Sequence, residues 1–324
     1  MKRAILFVQL GSPSDASPGS IEKYLVDFLG DRHTLGNPPF FWKWLLKGII
    51  APRRSVKSAE KYRRMIERSG LSEMPLIYYT RNFAEGVARE IGSEIPVRYA
   101  FEFGSKPSIS DALEELSTLG ATDVRVVPLF PQRSLVTTVA VHDLSLAAFK
   151  KFPGLQMHFA DGFAMNRVWL SQILRGIQNV WDKKSAVVFS FHGTPDSWVR
   201  AGDPYRDECV SEFEFWKGEL LKEIPGAKIL LSFQSRLGPV KWLEPYSANV
   251  VEELGRAREN VLIVCPSFTA DNLETLYEVD VELRERFLSA GGGTFSRVSC
   301  PNVCADWVRG FAGEVVREDF GRNP

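Results

Sequence analysis

The sequence predicts an α/β fold: doubly wound, in two lobes, with a ligand cleft between them. Three observations carry this expectation. Short apolar runs recur at residues 4–9, 95–103, 124–129, 185–191, 228–233 and 261–265. They are rich in Val, Ile and Phe without strict alternation, the pattern of parallel strands covered on both faces. Amphipathic stretches fall between them at residues 20–29, 58–69, 109–119, 167–180, 207–221 and 273–288, so that strand and helix alternate. A breaker, Phe152-Pro153-Gly154, closes a helix-like stretch, and another strand begins near Gln156. The seam therefore falls between Asp143 and Asn166, giving an N-terminal lobe of residues 1–150 and a C-terminal lobe of residues 151–324.

A chain of 324 residues suits two domains of ordinary size. Lys+Arg and Asp+Glu both number 40, so the basic excess of a general nucleic-acid binder is missing and no nucleic-acid partner is expected. Cys209, Cys265, Cys300 and Cys304 form no CxxC, which fits free thiols in a reducing compartment. The opening Lys2-Arg3-Ala4-Ile5-Leu6-Phe7-Val8 has no small-residue cleavage site after it, and Gly11-Ser12-Pro13 reads as a turn. A buried first strand is expected there, not a signal peptide. No apolar run reaches the ~18 residues that span a bilayer, so the expected location is the cytoplasm.

In open parallel sheets, ligands bind beyond the carboxyl ends of the strands. Five such loops carry chemistry-bearing residues: Leu10-Gly11-Ser12-Pro13, Phe130-Pro131-Gln132-Arg133-Ser134, His192-Gly193-Thr194-Pro195, Gln234-Ser235-Arg236 and Pro266-Ser267-Phe268. His192 directly follows a buried strand. An imidazole held there can take a proton near neutral pH or ligate a divalent metal, and a histidine satisfied by backbone hydrogen bonds fits the position equally. Glu274, Glu278 and Glu282 share one helical face. Like charges so spaced repel by roughly 0.2–0.5 kcal/mol per pair. Arg286 is placed to relieve Glu282, and nothing local relieves the other two. Such a row serves passing cations or protons, or is a solvated acidic face.

Trp242, after the polar turn at Gln234-Ser235-Arg236, is a candidate wall for a flat ligand or a packing residue. Arg53, Arg54 and Lys57 are placed to hold carboxylates, or belong to an exposed basic helix. The stretch from Pro38 to Leu46, extended by Lys47-Gly48-Ile49-Ile50, is aromatic and too short to span a membrane. Lys43 and Lys47 would share one helical face with Trp and Leu on the other, as in an interfacial segment, a pocket lip or a buried amphipathic helix.

Taken in order, these segments resemble ferrochelatase, from Ala4 to about Trp307. Phe7-Val8-Gln9-Leu10-Gly11-Ser12-Pro13 is similar to the family's Leu-x-Asn-Leu-Gly-x-Pro, and Pro128-Leu129-Phe130-Pro131-Gln132-Arg133-Ser134 to its Pro-Leu-Tyr-Pro-Gln-Tyr-Ser. Ser190-Phe191-His192-Gly193-x-Pro195 matches its histidine motif, with Gly202-Asp203-Pro204-Tyr205 downstream. Phe233-Gln234-Ser235-Arg236-x-Gly238, Trp242-Leu243, Pro266-Ser267-Phe268-Thr269-x-Asp271-x-x-Glu274-Thr275-Leu276 and Cys300-Pro301-Asn302 follow.

The resemblance implies two Rossmann-like lobes with a porphyrin between them and an enzyme inserting Fe²⁺, as substrate, into that porphyrin to form haem. It implies that His192 and Glu274 act as catalytic and metal-handling groups. Glu278 and Glu282 would extend a metal or proton path on a helix that, in this family, contains a π-type widening. Leu10, Ser134, Trp242 and Phe268 would contact the porphyrin, and Arg53, Arg54 and Lys57 its propionates. Residues 38–46 would form an apolar lip and a peripheral membrane contact. Protoporphyrin IX is favoured over coproporphyrin by the lip and Leu10. Some relatives bind an iron–sulfur cluster partly through cysteines of a C-terminal extension; this pattern is missing up to Pro324, so no cluster and no prosthetic group are expected.

Four departures lie in the N-terminal lobe. Gln9 replaces Asn, Arg133 replaces Tyr, residues 65–75 lack Gly-Ser-Pro-Leu, and Phe101-Glu102-Phe103-Gly104-Ser105-Lys106-Pro107 stands where the family has Arg-Tyr-Gly-x-Pro. Two rival functions are a chelatase for another tetrapyrrole, such as sirohydrochlorin with cobalt, and a porphyrin-binding module without catalysis.

Overall fold

The computed structural model describes residues 2–35, 39–236, 238 and 240–317, and it contains two four-stranded parallel sheets. The first has the order β2-β1-β3-β4, built from β1 (Arg3–Gly11), β2 (Val97–Phe103), β3 (Asp123–Pro128) and β4 (Gln156–Phe159). The second repeats that order as β6-β5-β7-β8, with β5 (Ala186–His192), β6 (Ile229–Gln234), β7 (Val261–Val264) and β8 (Phe295–Arg297). In both sheets the chain reverses direction beside the first strand. The topological switch points therefore lie between β1 and β3 and between β5 and β7, the positions at which open parallel sheets generally bind ligands.

The apolar runs became strands because helices cover both faces. Ala4 to Val8 of β1 and Ala186 to Phe191 of β5 are all buried. Helix starts are fixed locally: Ser108 and Asp111 form a reciprocal capping box, and Asn166 accepts from the Val168 N–H at 2.8 Å. Gly11 is required by close approach. Its φ is +99°, and a Cβ there would lie 2.0 Å from the Phe103 carbonyl oxygen.

The first sheet extends past residue 150, because β4 pairs with β3 from Asp123↔Gln156 to Val126↔Phe159. The C-terminal helix Ala305–Val315 also returns to the first lobe, where Trp307 stacks on Phe83 of helix Pro75–Ile91 at 5.8 Å. Phe7, Phe83, Trp169, Phe189, Trp216 and Phe311 belong to one apolar cluster, so the two sheets share a core. Polar contacts stitch the same seam. Gln9 Nε2 donates to Thr269 Oγ1 at 3.4 Å, and Gln132 Nε2 donates to the Pro266 carbonyl at 2.9 Å. Among the described residues no helix is long and apolar enough to cross a membrane.

Candidate active site

His192 is the last residue of β5, where burial gives way to partial exposure. Its backbone is held on both sides. The N–H donates to Ser267 Oγ at 3.0 Å, and the Tyr205 hydroxyl donates to its carbonyl at 2.9 Å. Tyr205 Oη and Ser267 Oγ are themselves 2.7 Å apart. Phe268 presents its ring to the imidazole with centroids 6.1 Å apart at 80°. Gly193 has no room for a side chain: a Cβ would meet the Gln234 carbonyl at 2.6 Å and Trp242 Cε3 at 3.2 Å. Trp242 is kept there by an antiparallel bridge to Pro195. Burial lowers the His192 pKa, partly opposed by the backbone at Gly193, so the neutral imidazole is favoured.

Glu274 opens a π-helical segment, Glu274–Leu283, in which the backbone is wider than in an α-helix. Asn272 fixes its start by accepting from the Thr275 N–H at 3.1 Å. Burial, and then the charge of Glu278, pushes the Glu274 carboxyl up to about 7. Burial also raises Glu278, while its hydrogen bond from the Ser235 hydroxyl acts in the opposite direction. Glu282 is exposed and lies 2.7 Å from Lys61 Nζ. The row thus runs from a buried, proton-retaining end to a solvated, paired end. Lys61, not Arg286, relieves Glu282; Arg286 turns to Glu252 at 3.3 Å.

Gln234 joins the two halves of the site. It is the β6 partner of His192 in the strand register, and its side-chain amide donates to the Glu274 carbonyl at 3.5 Å. His192 and Glu274 therefore flank one residue at the carboxyl end of the second sheet. A family profile for ferrochelatase matches residues 2–319. The chain is 36% identical over 307 residues to the ferrochelatase of Francisella tularensis subsp. holarctica strain OSU18, covering 93% of this chain and 91% of that protein. The ferrochelatase of subsp. novicida strain U112 is 35% identical over the same length and shares.

The chain belongs to the ferrochelatase family. It is accordingly an enzyme that inserts iron into a porphyrin to form haem. The solved structure of SirB from Bacillus subtilis with Fe³⁺ has a TM-score of 0.58 at 16% identity, covering 97% of this chain and 94% of that one. The cobalt complex of the sirohydrochlorin chelatase SirB from subspecies spizizenii has the same TM-score at 14% identity, covering 100% and 97%. Both share the fold.

With the family established, the remaining expected residues sort clearly. Arg53 and Lys57 are exposed and Arg54 is half-buried on helix Ala51–Ser69, and none has an ion-pair partner among the described residues. Their neighbours on that helix do: Arg63 and Arg64 pair with Glu60, and Arg68 with Asp280. Leu10 is half-buried at the end of β1. Ser134 is buried and its hydroxyl donates to Asp203 at 2.8 Å, so it ties the lobes together and is not an open porphyrin contact.

In the lip, Pro38 lies outside the described residues. Phe40 is 98% and Trp44 74% exposed, whereas Leu46 is buried and Trp42 is anchored by its indole N–H to the Leu29 carbonyl at 2.9 Å. The expected division of lysine and aromatic faces does not hold. Lys43 and Trp44 are both exposed on the helical turn Trp42–Leu45, ahead of a π turn at Leu46–Ile50. A cavity of about 10 Å³ lined by Tyr79, Phe83, Leu129 and Trp307 is one water in size. A shallow groove of about 400 Å³ lies on the outer face of helix Pro18–Gly30 beside Lys47.

Sequence reasoning did not single out Glu102 as a site residue. The register Gln9↔Phe101 and Gly11↔Phe103 sets it beside Leu10 on one sheet face. Both carboxylate oxygens are buried without a hydrogen-bond partner among the described residues. Burial, then the charge of Asp31, raises its pKa well above the ordinary 4.5. The fold holds this proton more tightly than the unfolded chain does. The associated stability is therefore full below 4.5 and is lost as pH rises toward the folded value. Glu102→Gln keeps the shape and removes the titration. Its melting temperature is expected to exceed that of the natural protein by more at about pH 8 than at about pH 5.

Proposed function

We propose that the porphyrin is protoporphyrin IX and that His192 and Glu274 act on it from one face. The carrying observation is Gln234, which binds the histidine strand and the glutamate helix to each other. Insertion requires two pyrrole protons to leave while Fe²⁺ arrives, and bending the ring exposes the nitrogens to both events. Binding energy from the ring's periphery supports that strain. His192, held neutral by burial, accepts a pyrrole proton. Glu274, with its carboxyl near 7, is poised to exchange a proton or meet the metal. Glu278 and Glu282 extend the route to solvent. Leu10 packs on the opposite face of the ring, Phe268 and Trp242 form walls, and Arg53, Arg54 and Lys57 hold the propionates.

No prosthetic group enters this reading. Fe²⁺ is a substrate in transit.

The exposed lip favours protoporphyrin, which carries two carboxylates, over coproporphyrin, which carries four. In a Soret-band insertion assay, protoporphyrin is expected to give a kcat/KM at least about tenfold above coproporphyrin, a difference of about 1.4 kcal/mol. A preference for coproporphyrin would overturn the substrate choice. The same lip rests on the inner face of the cytoplasmic membrane. Phe40→Ser with Trp44→Ser is expected to weaken co-sedimentation with anionic vesicles while leaving the fold intact, since both side chains are exposed. Unchanged sedimentation would confine the lip to the porphyrin.

A further inference from the structure

Behind the glutamate row lies a second charged cluster that the chemistry above does not use. Arg297 ends β8 with its side chain 6% exposed. Its Nη1 donates to Asp271 Oδ1 at 2.8 Å and to the Val298 carbonyl at 3.1 Å. Its Nε lies 3.1 Å from Asp280 Oδ2, an ion pair without hydrogen-bond geometry. Asp271 precedes the π segment and Asp280 lies within it, so one guanidinium bridges the lead-in and the later part of the segment that carries Glu274 and Glu278. Asp271 is fixed further by Asn302, which accepts from its N–H and donates to its Oδ2, both at 2.8 Å. Thr275 Oγ1 donates to Asp271 Oδ1 at 2.9 Å. Asp280 is approached by Arg284 and, from the first lobe, Arg68, each at 3.6 Å.

π-Helical geometry is rare and mostly confined to single-turn bulges. A run of ten residues needs an outside constraint. The Arg297 guanidinium supplies one because it is hydrogen-bonded to Asp271 and ion-paired with Asp280 at once, tying the two carboxylates together. Asp280 turns toward Arg297, while Glu278, two residues earlier, turns toward Ser235, so the clamp and the glutamate row occupy different sides of the segment. We propose that Arg297 is a positioning residue: by gripping Asp271 and Asp280 it holds the π register and so sets Glu274 beside Gln234 and His192. This inference rests on the reading of Glu274 as a metal- or proton-handling group.

The test uses Arg297→Lys, which keeps the charge but loses the planar guanidinium that reaches both carboxylates, and Arg297→Gln with Asp280→Asn, which removes charge in a pair. Zn²⁺ insertion into protoporphyrin is measured across the neutral pH range, with His192→Ala in parallel. The expected result is a kcat at least about tenfold lower in both variants, KM within about twofold of the natural protein, and a displaced limb of the kcat–pH profile. Natural kcat and pH profile in the folded variants would overturn the clamp while an inactive His192→Ala leaves the site reading standing. Loss of helical circular dichroism in both variants would reduce Arg297 to a fold residue and also overturn it. Full activity in His192→Ala would bring down the site reading and the clamp together.

Discussion

His192→Ala is expected to lower kcat for metal insertion by about 10²- to 10⁴-fold, the usual contribution of a positioned general base. The backbone clamp explains why the loss falls on kcat. Ser267 and Tyr205 hold the His192 main chain from both sides, and Trp242 and Gln234 leave no space at Gly193. An alanine keeps this frame, so the porphyrin walls survive and KM should change little. In the natural protein the acid limb of the kcat–pH profile should fall below the ordinary imidazole value of 6.5, because burial disfavours the imidazolium. In His192→Ala that limb should vanish. The check is a pH series of initial rates with Zn²⁺ as the metal, followed by the Soret and Q-band changes.

The second large effect is expected on binding. Replacing Arg53, Arg54 and Lys57 together by Gln should raise the protoporphyrin KM by at least about tenfold, with a smaller change in kcat. Charge-assisted hydrogen bonds are worth about 1.5–3 kcal/mol when formed, and exposure to water reduces that figure here. These cations have no carboxylate partner among the described residues, so no internal ion pair is lost on substitution. The dimethyl ester of protoporphyrin supplies the control. Without propionate charge it should bind the natural protein and the triple variant equally. Added salt should weaken protoporphyrin binding only in the natural protein. Equal KM values for the free acid would place the propionates elsewhere.

Much of the fold was legible because a parallel strand buried on both faces reads as an unbroken apolar run. All six predicted runs became strands. β8 escaped notice because three residues carry no period, and helix Pro75–Ile91 because its residues Tyr78-Tyr79 and Arg81-Asn82 blur the apolar stripe. The lobe seam was harder to place. β4 joins the first sheet through pairing with β3, and helix Ala305–Val315 crosses back through aromatic contacts, neither of which has a local signature.

At the site, motif order singled out His192 and the glutamate row as candidates, while their contacts depended on tertiary placement. Lys61 reaches Glu282 from 221 residues away, a distance in sequence that helical spacing cannot see. Ser134 looked like a ligand contact because it follows a strand, yet Asp203 takes its hydroxyl. Glu102 was visible as an acid between two phenylalanines, but only the register with β1 sets it beside Leu10.

The most direct measurement is a double-substitution cycle of His192→Ala and Glu274→Gln, read as kcat for Zn²⁺ insertion into protoporphyrin. Groups that serve one step at one porphyrin centre are strongly non-additive, so the double variant should lie within about threefold of the slower single variant. Losses that multiply in full, or natural turnover in either single variant, would contradict the claim that the imidazole and the carboxylate work on the same ring nitrogens.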